Sequence, residues 1–229
     1  MSAGKTNVSV VMPALNGERY IALAIESGLS QLTDDDELIV VDNASTDSTA
    51  RIVKAIPDPR IKYHYEPRSG AAVARNRAFR HMQGTFVAFL DCDDLWPDGR
   101  QQGLMHCLDE NPAIDAAYGR IRLTDEGGLD PRFTQLDGVL TPFLSLSSFL
   151  FRRIILEKAG EMDETLLAGE DTDYLIRLQE IGMRALTWDG DASIYRRHET
   201  STTVMRQTVN TDLLKVLSRK IHRNRIEKK

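Results

Sequence analysis

Residues 8–12 read VSVVM, residues 38–41 read LIVV and residues 86–90 read FVAFL. Each run is short, apolar and rich in β-branched or aromatic residues, and polar or turn residues bound it, as is typical of buried β-strands. The segments between the runs carry apolar residues at helical spacing, and a shorter strand is predicted at residues 61–65. This alternation of strand and helix predicts an α/β fold with a mostly parallel central sheet flanked by helices.

The second half of the chain predicts a less regular succession of elements within the same domain. No internal repeat and no low-complexity linker separates it from the first half. In chain order we expect a helix at 101–110, a strand at 113–120, a surface loop at 125–138, a strand and short helix within 141–156, a helix at 171–181 and a strand at 185–188.

The composition excludes several classes of protein. Hydrophobic residues make up 41% and charged residues 28% of the 229 residues, which is ordinary for a globular chain that buries one substantial core. A formal net charge of -5 argues against a nucleic-acid partner. Two cysteines without a CxxC pattern predict neither a disulfide framework nor a zinc site. With no predicted secretion signal and no apolar stretch of about 20 residues, we expect a cytoplasmic protein that does not span a membrane.

Acidic residues follow the third apolar run directly, in the sequence DCDD at residues 91–94. If the chain stays extended there, Asp91 and Asp93 project to one side and Cys92 to the other. Two carboxylates on one face form a hard oxygen site that suits Mg²⁺ or Mn²⁺ together with substrate phosphates. The alternative is that these residues only cap the strand and solvate a turn.

Two further polar residues stand where a ligand is expected in a parallel sheet, beyond the carboxyl ends of the strands. Asp42 follows LIVV, and its carboxylate can accept hydrogen bonds from a nucleobase N–H or a ribose hydroxyl; its alternative role is to cap the helix that starts near Thr46. Arg75 can meet a phosphate, pair with one of the carboxylates, or lie in solvent on its helix.

A second acidic cluster, Glu170 and Asp171, precedes apolar residues at helical spacing and is predicted at a helix N-terminus. The helix dipole keeps a carboxylate ionised there, as a general base requires, although acidic residues are favoured at helix starts for structural reasons alone. His198 closes YRRH at residues 195–198, and a lone histidine of this kind is more often a surface or core residue than a metal ligand.

Five segments, taken together and in order, are more specific than any one of them. They are VSVVMPALN (8–16), LIVVDNASTDST (38–49), EPRSGAAVARNRAFRHMQGTFVAFLDCDDLW (66–96), FRRIILEKAGEMDETLLAGEDTDYLIRLQEIG (151–182) and YRRH (195–198). Together they resemble family 2 glycosyltransferases of the GT-A fold, and the resemblance runs from about Val8 to His198. It implies a single GT-A domain at 1–203, with a Rossmann-like nucleotide-sugar-binding half at 1–98 and an acceptor-binding half at 99–203.

The resemblance also implies a role for each matching residue. Asp171 matches the usual catalytic base, and Asp93 matches the main ligand of a divalent Mn²⁺ or Mg²⁺, with Asp91 beside it and His198 as a further ligand or diphosphate contact. The residues implied to bind the nucleotide sugar are Pro13, Asn16, Asp42, Arg75, Asp91, Asp93 and Glu170. Two departures weaken the match: Asn43 stands where a second Asp is common, and Ala14-Leu15 replaces the usual Thr-Tyr before Asn16.

The implied activity is inverting transfer of a sugar from a nucleoside-diphosphate sugar, with UDP favoured, to a saccharide or lipid-linked hydroxyl acceptor in polysaccharide or glycolipid synthesis. The alternatives are a catalytically silent sugar-nucleotide-binding module and a DxD phosphohydrolase. The latter is disfavoured because LWPDG follows the acidic pair and the next lysine is Lys158.

Residues 204–229 predict a basic amphipathic helix or tail with Val209, Leu213 and Ile221 on one side. Three partners are open for its apolar side: an anionic membrane surface at the inner face of the membrane, the domain itself, or a second subunit in a homodimer.

Overall fold

The computed structural model describes residues 8–125, 145–198 and 216. The strands form a single seven-stranded sheet, ordered β3-β2-β1-β4-β6-β5-β7. Their bounds are β1 Val8–Ala14, β2 Glu37–Asp42, β3 Ile61–Tyr65, β4 Phe86–Phe89, β5 Ala116–Asp125, β6 Phe149–Arg152 and β7 Ala185–Arg197. Strands from both predicted halves of the chain thus lie in one sheet.

The sheet is mostly parallel, which confirms the predicted fold class. β1 pairs in parallel with β2 and β4, β2 with β3, and β5 with β7. Among the strands of the described residues, only β6 runs antiparallel to its neighbours, β4 and β5. A parallel partner requires a crossover, which the helices between the first four strands provide. The first four strands therefore end at the same edge of the sheet.

Helices cover both faces, because side chains along each strand alternate between the two sides of the sheet. Val10 and Met12 of β1 pack on one core cluster, whereas Val11 packs on the other. The helices α1 Ile21–Leu29, α2 Thr49–Ala55 and α4 Arg100–Glu110 contribute to the first cluster. The helices α3 Ala71–Phe79, α5 Arg153–Ala159 and α6 Glu170–Glu180 contribute to the second.

Arg100 is fully buried at the start of α4 and ties three segments together. Its Nε donates to the Ala192 carbonyl at 3.0 Å, and Nη2 donates to the Ser147 and Phe149 carbonyls at 3.2 and 2.8 Å. The guanidinium lies 4.0 Å from the centroid of the Trp96 ring. Burial lowers the pKa of Arg100 to about 9, so the group remains charged at neutral pH. The sequence carried no signal for this role.

The strands β5 and β7 extend beyond the ranges predicted for them. The prediction at 113–120 becomes Ala116–Asp125, and the prediction at 185–188 becomes Ala185–Arg197. The two strands pair in parallel with each other, and the register of the pairing shifts on either side of Arg120. Arg120 and Arg122 both form ion pairs with Asp191. Because those charged residues interrupt the apolar pattern, the prediction from periodicity alone placed the end of each strand too early.

Three sequence predictions lie wholly or mostly outside the described residues. These are the surface loop at 125–138, the first part of 141–156 and the tail at 204–229. Within the tail, Val216 is helical and fully buried, and a Cβ added to Gly169 would lie 3.9 Å from its Cγ2. Val216 is therefore next to the start of α6. Among the described helices, none combines the length and the apolar character needed to cross a bilayer.

Candidate active site

The carboxyl ends of β1, β2 and β4 meet at one edge of the sheet. Ala14 at the end of β1 pairs with Asp42 at the end of β2, and Val11 pairs with Phe89 at the end of β4. Pro13 lies within this strand end, partly buried. The predicted site residues of the first half therefore share an edge, as expected for parallel strands.

Asp42 is buried, and both of its carboxylate oxygens accept hydrogen bonds. Oδ1 accepts from the backbone N–H of Ser45 at 3.0 Å, which closes the turn after β2. Oδ2 accepts from the Tyr63 hydroxyl at 2.7 Å. Each oxygen retains a second lone pair for a ligand donor. Tyr63 was missed from the sequence, because it lies on a neighbouring strand 21 positions away.

Asn16 connects the loops that follow β1 and β2. Its backbone is left-handed, with φ of 51°. Its Oδ1 accepts from the Thr46 backbone N–H at 2.8 Å, and its own N–H donates to the Ser45 hydroxyl at 3.0 Å. The predicted nucleotide-binding side chain thus already holds one loop against the other.

Asn43 has a structural function that an aspartate could not perform. Its amide nitrogen donates to the Arg68 carbonyl at 2.5 Å, and its amide oxygen accepts from the Gly70 N–H at 2.7 Å. A carboxylate in the same place has no N–H to donate. Asn43, the residue that replaces the more common aspartate, therefore fixes the loop that leads into α3 through these two hydrogen bonds.

The acidic segment after β4 is a turn rather than an extended strand end. The Asp94 N–H donates to the Asp91 carbonyl at 3.0 Å. Cys92 points into the core beside Gly17, as expected, but Asp91 and Asp93 face different partners. Asp91 accepts from Arg75, whereas Asp93 Oδ2 lies 3.1 Å from Nε2 of His198. Asp94 is fully buried, and its Oδ1 accepts from the Arg196 N–H at 3.1 Å.

Arg75 joins the two acidic segments. Its Nη2 donates to Asp91 Oδ1 at 2.9 Å, and its Nη1 donates to Glu170 Oε1 at 2.7 Å. Of the three roles left open for Arg75, pairing with carboxylates is the one that the structure contains. Glu170 and Asp171 are the first two residues of α6, so this contact brings the start of α6 to the edge where β4 ends.

Burial and repulsion from neighbouring charges make Asp93, Asp94 and Asp171 reluctant to ionise. Burial, reinforced by the charge of Asp91, raises the pKa of Asp93, and burial reinforced by Asp93 raises that of Asp94. For Asp171, burial and then the charge of Glu170 raise the pKa to about 6, against an opposing effect of Arg75. Asp171 is thus a carboxylate suited to exchange a proton near neutral pH.

Asp93 and His198 offer a carboxylate and an imidazole side by side. The His198 ring stacks on Tyr20 at a centroid distance of 4.4 Å, which fixes its orientation. Oxygen and imidazole ligands suit Mn²⁺, and a cation would offset the burial and the repulsion by Asp91 that together raise the pKa of Asp93. The predicted set of Asp91, Asp93 and His198 does not assemble, since the described residues contain no group of three His, Cys, Asp or Glu side chains placed for one ion. The physical reason is that Asp91 is held by Arg75.

Sequence comparison identifies known relatives. A putative teichuronic acid biosynthesis glycosyltransferase, TuaG of Bacillus subtilis (strain 168), is 37% identical over 130 residues, which cover 56% of this chain and 52% of the relative. The UDP-Glc:alpha-D-GlcNAc-diphosphoundecaprenol beta-1,3-glucosyltransferase WfgD of Escherichia coli is 35% identical over 127 residues. These residues cover 55% of this chain and 50% of WfgD. The matches to these two relatives thus span about half of each relative's length.

Solved structures share the fold. S. aureus TarS 1-349 in complex with UDP-GlcNAc superposes with a TM-score of 0.76 at 21% identity, covering 92% of this chain and 65% of the TarS 1-349 chain. The mannosyltransferase PcManGT from Pyrobaculum calidifontis, in complex with GDP-Man and Mn²⁺, gives a TM-score of 0.72 at 23% identity. The superposition covers 96% of this chain and 65% of the PcManGT chain. The profile of the family described as Glycosyl transferase family 2 matches residues 9–163, more than half of the chain. On this match the chain belongs to glycosyl transferase family 2.

Proposed function

We propose that this chain transfers a sugar from a nucleoside-diphosphate sugar to a hydroxyl group of an acceptor, with inversion at the anomeric carbon. The observation that carries the proposal is the contact of one guanidinium with both acidic segments. Through Arg75, Asp91 at the end of β4 lies beside Glu170 at the start of α6. This arrangement brings carboxylates suited to the donor and a carboxylate suited to the acceptor to one edge of the sheet.

In the proposed reaction the acceptor oxygen attacks the anomeric carbon from the side opposite the leaving group. The new carbon–oxygen bond forms as the bond to the diphosphate breaks, and the nucleoside diphosphate leaves with that electron pair. Asp171 accepts the proton that the acceptor hydroxyl loses. A single displacement inverts the anomeric centre and requires no covalent enzyme intermediate.

The charge on the leaving diphosphate calls for a divalent cation, and the residues fit one. Asp93 and His198 would hold Mn²⁺ or Mg²⁺ together with the donor phosphates. When bound, such an ion stabilises the negative charge that develops on the leaving group. The complex of PcManGT with GDP-Man and Mn²⁺ supports the use of a divalent cation, and the choice of Asp93 and His198 rests on their contact in this chain.

The relatives support a role in cell-surface polysaccharide or glycolipid synthesis. The name of WfgD specifies UDP-Glc as its donor and a diphosphoundecaprenol-linked acceptor, and ExoU of Rhizobium meliloti is named for succinoglycan biosynthesis. We therefore propose a UDP-sugar as donor, and a saccharide or lipid-linked acceptor that the protein meets at the cytoplasmic side of a membrane. Asp42 is compatible with uracil, whose ring N–H can donate to a carboxylate.

A thermal-shift experiment tests donor and metal binding. We expect a UDP-sugar with Mn²⁺, at about 100 times its dissociation constant, to raise the melting temperature by about 5–10 °C, because the ligand binds the folded state alone. The Asp93→Asn variant should lose most of the part of this rise in melting temperature that depends on Mn²⁺. The Asp109→Asn variant, whose changed residue is exposed on α4, should retain it. A shift without product formation in a transfer assay would favour the silent binding module.

The pH dependence of kcat/KM tests the proposed base. Since the pKa of Asp171 is raised to about 6, the ionised form predominates above that pH and the protonated form below it. Only the ionised form can accept a proton. We therefore expect kcat/KM to be level above about pH 7 and to fall about tenfold per pH unit well below 6. A profile that stays level down to pH 4.5 would contradict this assignment.

A further inference from the structure

Arg75 occupies an unusual position between the two proposed functional segments. It lies on α3, which carries neither Asp93 nor Asp171, and its side chain is only 8% exposed. One terminal nitrogen contacts Asp91 and the other contacts Glu170. The family resemblance places this arginine near the nucleotide, but both terminal nitrogens already have carboxylate partners.

We propose that Arg75 is a positioning residue, which sets the start of α6 and therefore Asp171 at a fixed distance from the acidic turn after β4. This inference rests on the proposed function, because it assigns the donor to that turn and the base to α6. Arg75 then acts on the reaction through its two neighbours, without touching the donor.

The first argument is electrostatic. Glu170 is only 11% exposed, so its charge has little contact with water. If Arg75 turned toward a phosphate, Glu170 would remain buried without its cation, and leaving a buried charge unpaired is strongly unfavourable. The arrangement therefore favours an arginine that stays on its carboxylates throughout the reaction.

The second argument is geometric. A guanidinium is planar and rigid, so two carboxylates bound to its two terminal nitrogens are held at a set separation. Asp171 follows Glu170 within the first turn of α6, so fixing one residue fixes the other. A lysine keeps the positive charge but is a single point, which cannot set that separation.

The third argument comes from the rest of α3. Nearby, Asn76 binds the Met162 carbonyl through its amide nitrogen at 2.9 Å and the Met162 N–H through its oxygen at 2.8 Å. The segment before α6 is thus anchored to α3 by a neutral contact as well. Arg75 has a separate task, which is to hold the charged start of α6 toward β4.

The experiment compares Arg75→Lys, Glu170→Gln and the double variant. We expect each single change to lower kcat by about 10–100-fold, since a displacement of about 1 Å at a catalytic group can cost 10²-fold. The dissociation constant for UDP with Mn²⁺ should change less than about threefold, because the proposal places the donor on Asp42 and Asp93 and takes Arg75 and Glu170 out of the implied donor-binding set. The double variant should be no slower than the slower single variant, as expected for two partners of one interaction.

Arg80→Lys is the matched control, because Arg80 follows the same helix and pairs with the exposed Glu161. It should leave both kcat and UDP binding unchanged. If Arg75→Lys weakens UDP binding by tenfold or more while kcat is retained, Arg75 is a donor-binding residue and the proposal is overturned. Should Arg75→Lys not fold, Glu170→Gln decides, since unchanged kcat in that variant also overturns the proposal.

Failure of the proposed function gives a different pattern of results. If Asp171→Asn keeps the wild-type transfer rate, the base assignment is wrong, and the positioning role fails with it. A second pattern is that the wild-type enzyme transfers sugar, the Asp171→Asn variant does not, and the Arg75→Lys variant keeps the full kcat. In that case the base assignment stands and only the positioning role is wrong.

Discussion

Asp171→Asn is expected to lower kcat for sugar transfer by about 10²–10⁴-fold, the usual contribution of a positioned general base. Asparagine has nearly the same shape as aspartate, but its amide oxygen does not take up a proton. The Asp171 carboxyl oxygen Oδ1 accepts a hydrogen bond from the Thr172 N–H at 2.7 Å, which an amide oxygen can also accept, so the helix start should persist. The measurement is kcat at saturating donor and acceptor with purified protein.

Two accompanying measurements separate chemistry from structure. The melting temperature and UDP affinity of Asp171→Asn should stay close to wild type, because the base is assigned to the acceptor and not to the donor. Asp109→Asn, the exposed carboxylate on α4, should transfer sugar at the wild-type rate. Near-normal kcat in Asp171→Asn would remove that residue from the mechanism and require another proton acceptor.

Arg100→Ala should lower the free energy of unfolding by about 3–5 kcal/mol, because buried acceptors left unpaired cost about 1–3 kcal/mol each and a cavity adds to that. The carbonyl oxygens of Ala192, Ser147 and Phe149 would each lose a hydrogen bond from the guanidinium. The stacking contact with Trp96 would be lost as well. Urea unfolding followed by circular dichroism measures the change as a lower midpoint.

The control for this variant lies two positions further along the same helix. Gln102 is exposed, and Gln102→Ala should change the unfolding free energy by less than about 0.5 kcal/mol. A loss below about 1 kcal/mol in Arg100→Ala would mean that water reaches the three carbonyl groups, contrary to the burial of this region.

Local pattern was sufficient to predict the elements that lead to the site. Apolar runs predict β1, β2 and β4, and the rule that ligands bind beyond strand ends selects Asp42 and Asp91. The acidic residues before an amphipathic segment predict the start of α6. The predictions of these strands and of this helix start are confirmed because each depends on neighbours within a few residues, where periodicity and capping preferences act.

Contacts between distant residues were beyond the reach of the sequence. Nothing near Asp42 predicts its bond to Tyr63, and nothing near His198 predicts that its ring stacks on Tyr20. The extended-strand argument at DCDD was wrong because the chain turns at Asp91, and a turn gives adjacent residues unrelated partners.

The sequence by itself determined the α/β class, the family and the acidic residues available for chemistry, since these follow from pattern and motif order. Only the tertiary structure decided how those carboxylates are distributed: Asp91 and Glu170 with Arg75, and Asp93 with His198. The physical reason is that the strength of an interaction between two charges depends on the distance between them and on their burial. Folding alone sets both quantities for Arg75 and Glu170, which are 95 positions apart in the sequence.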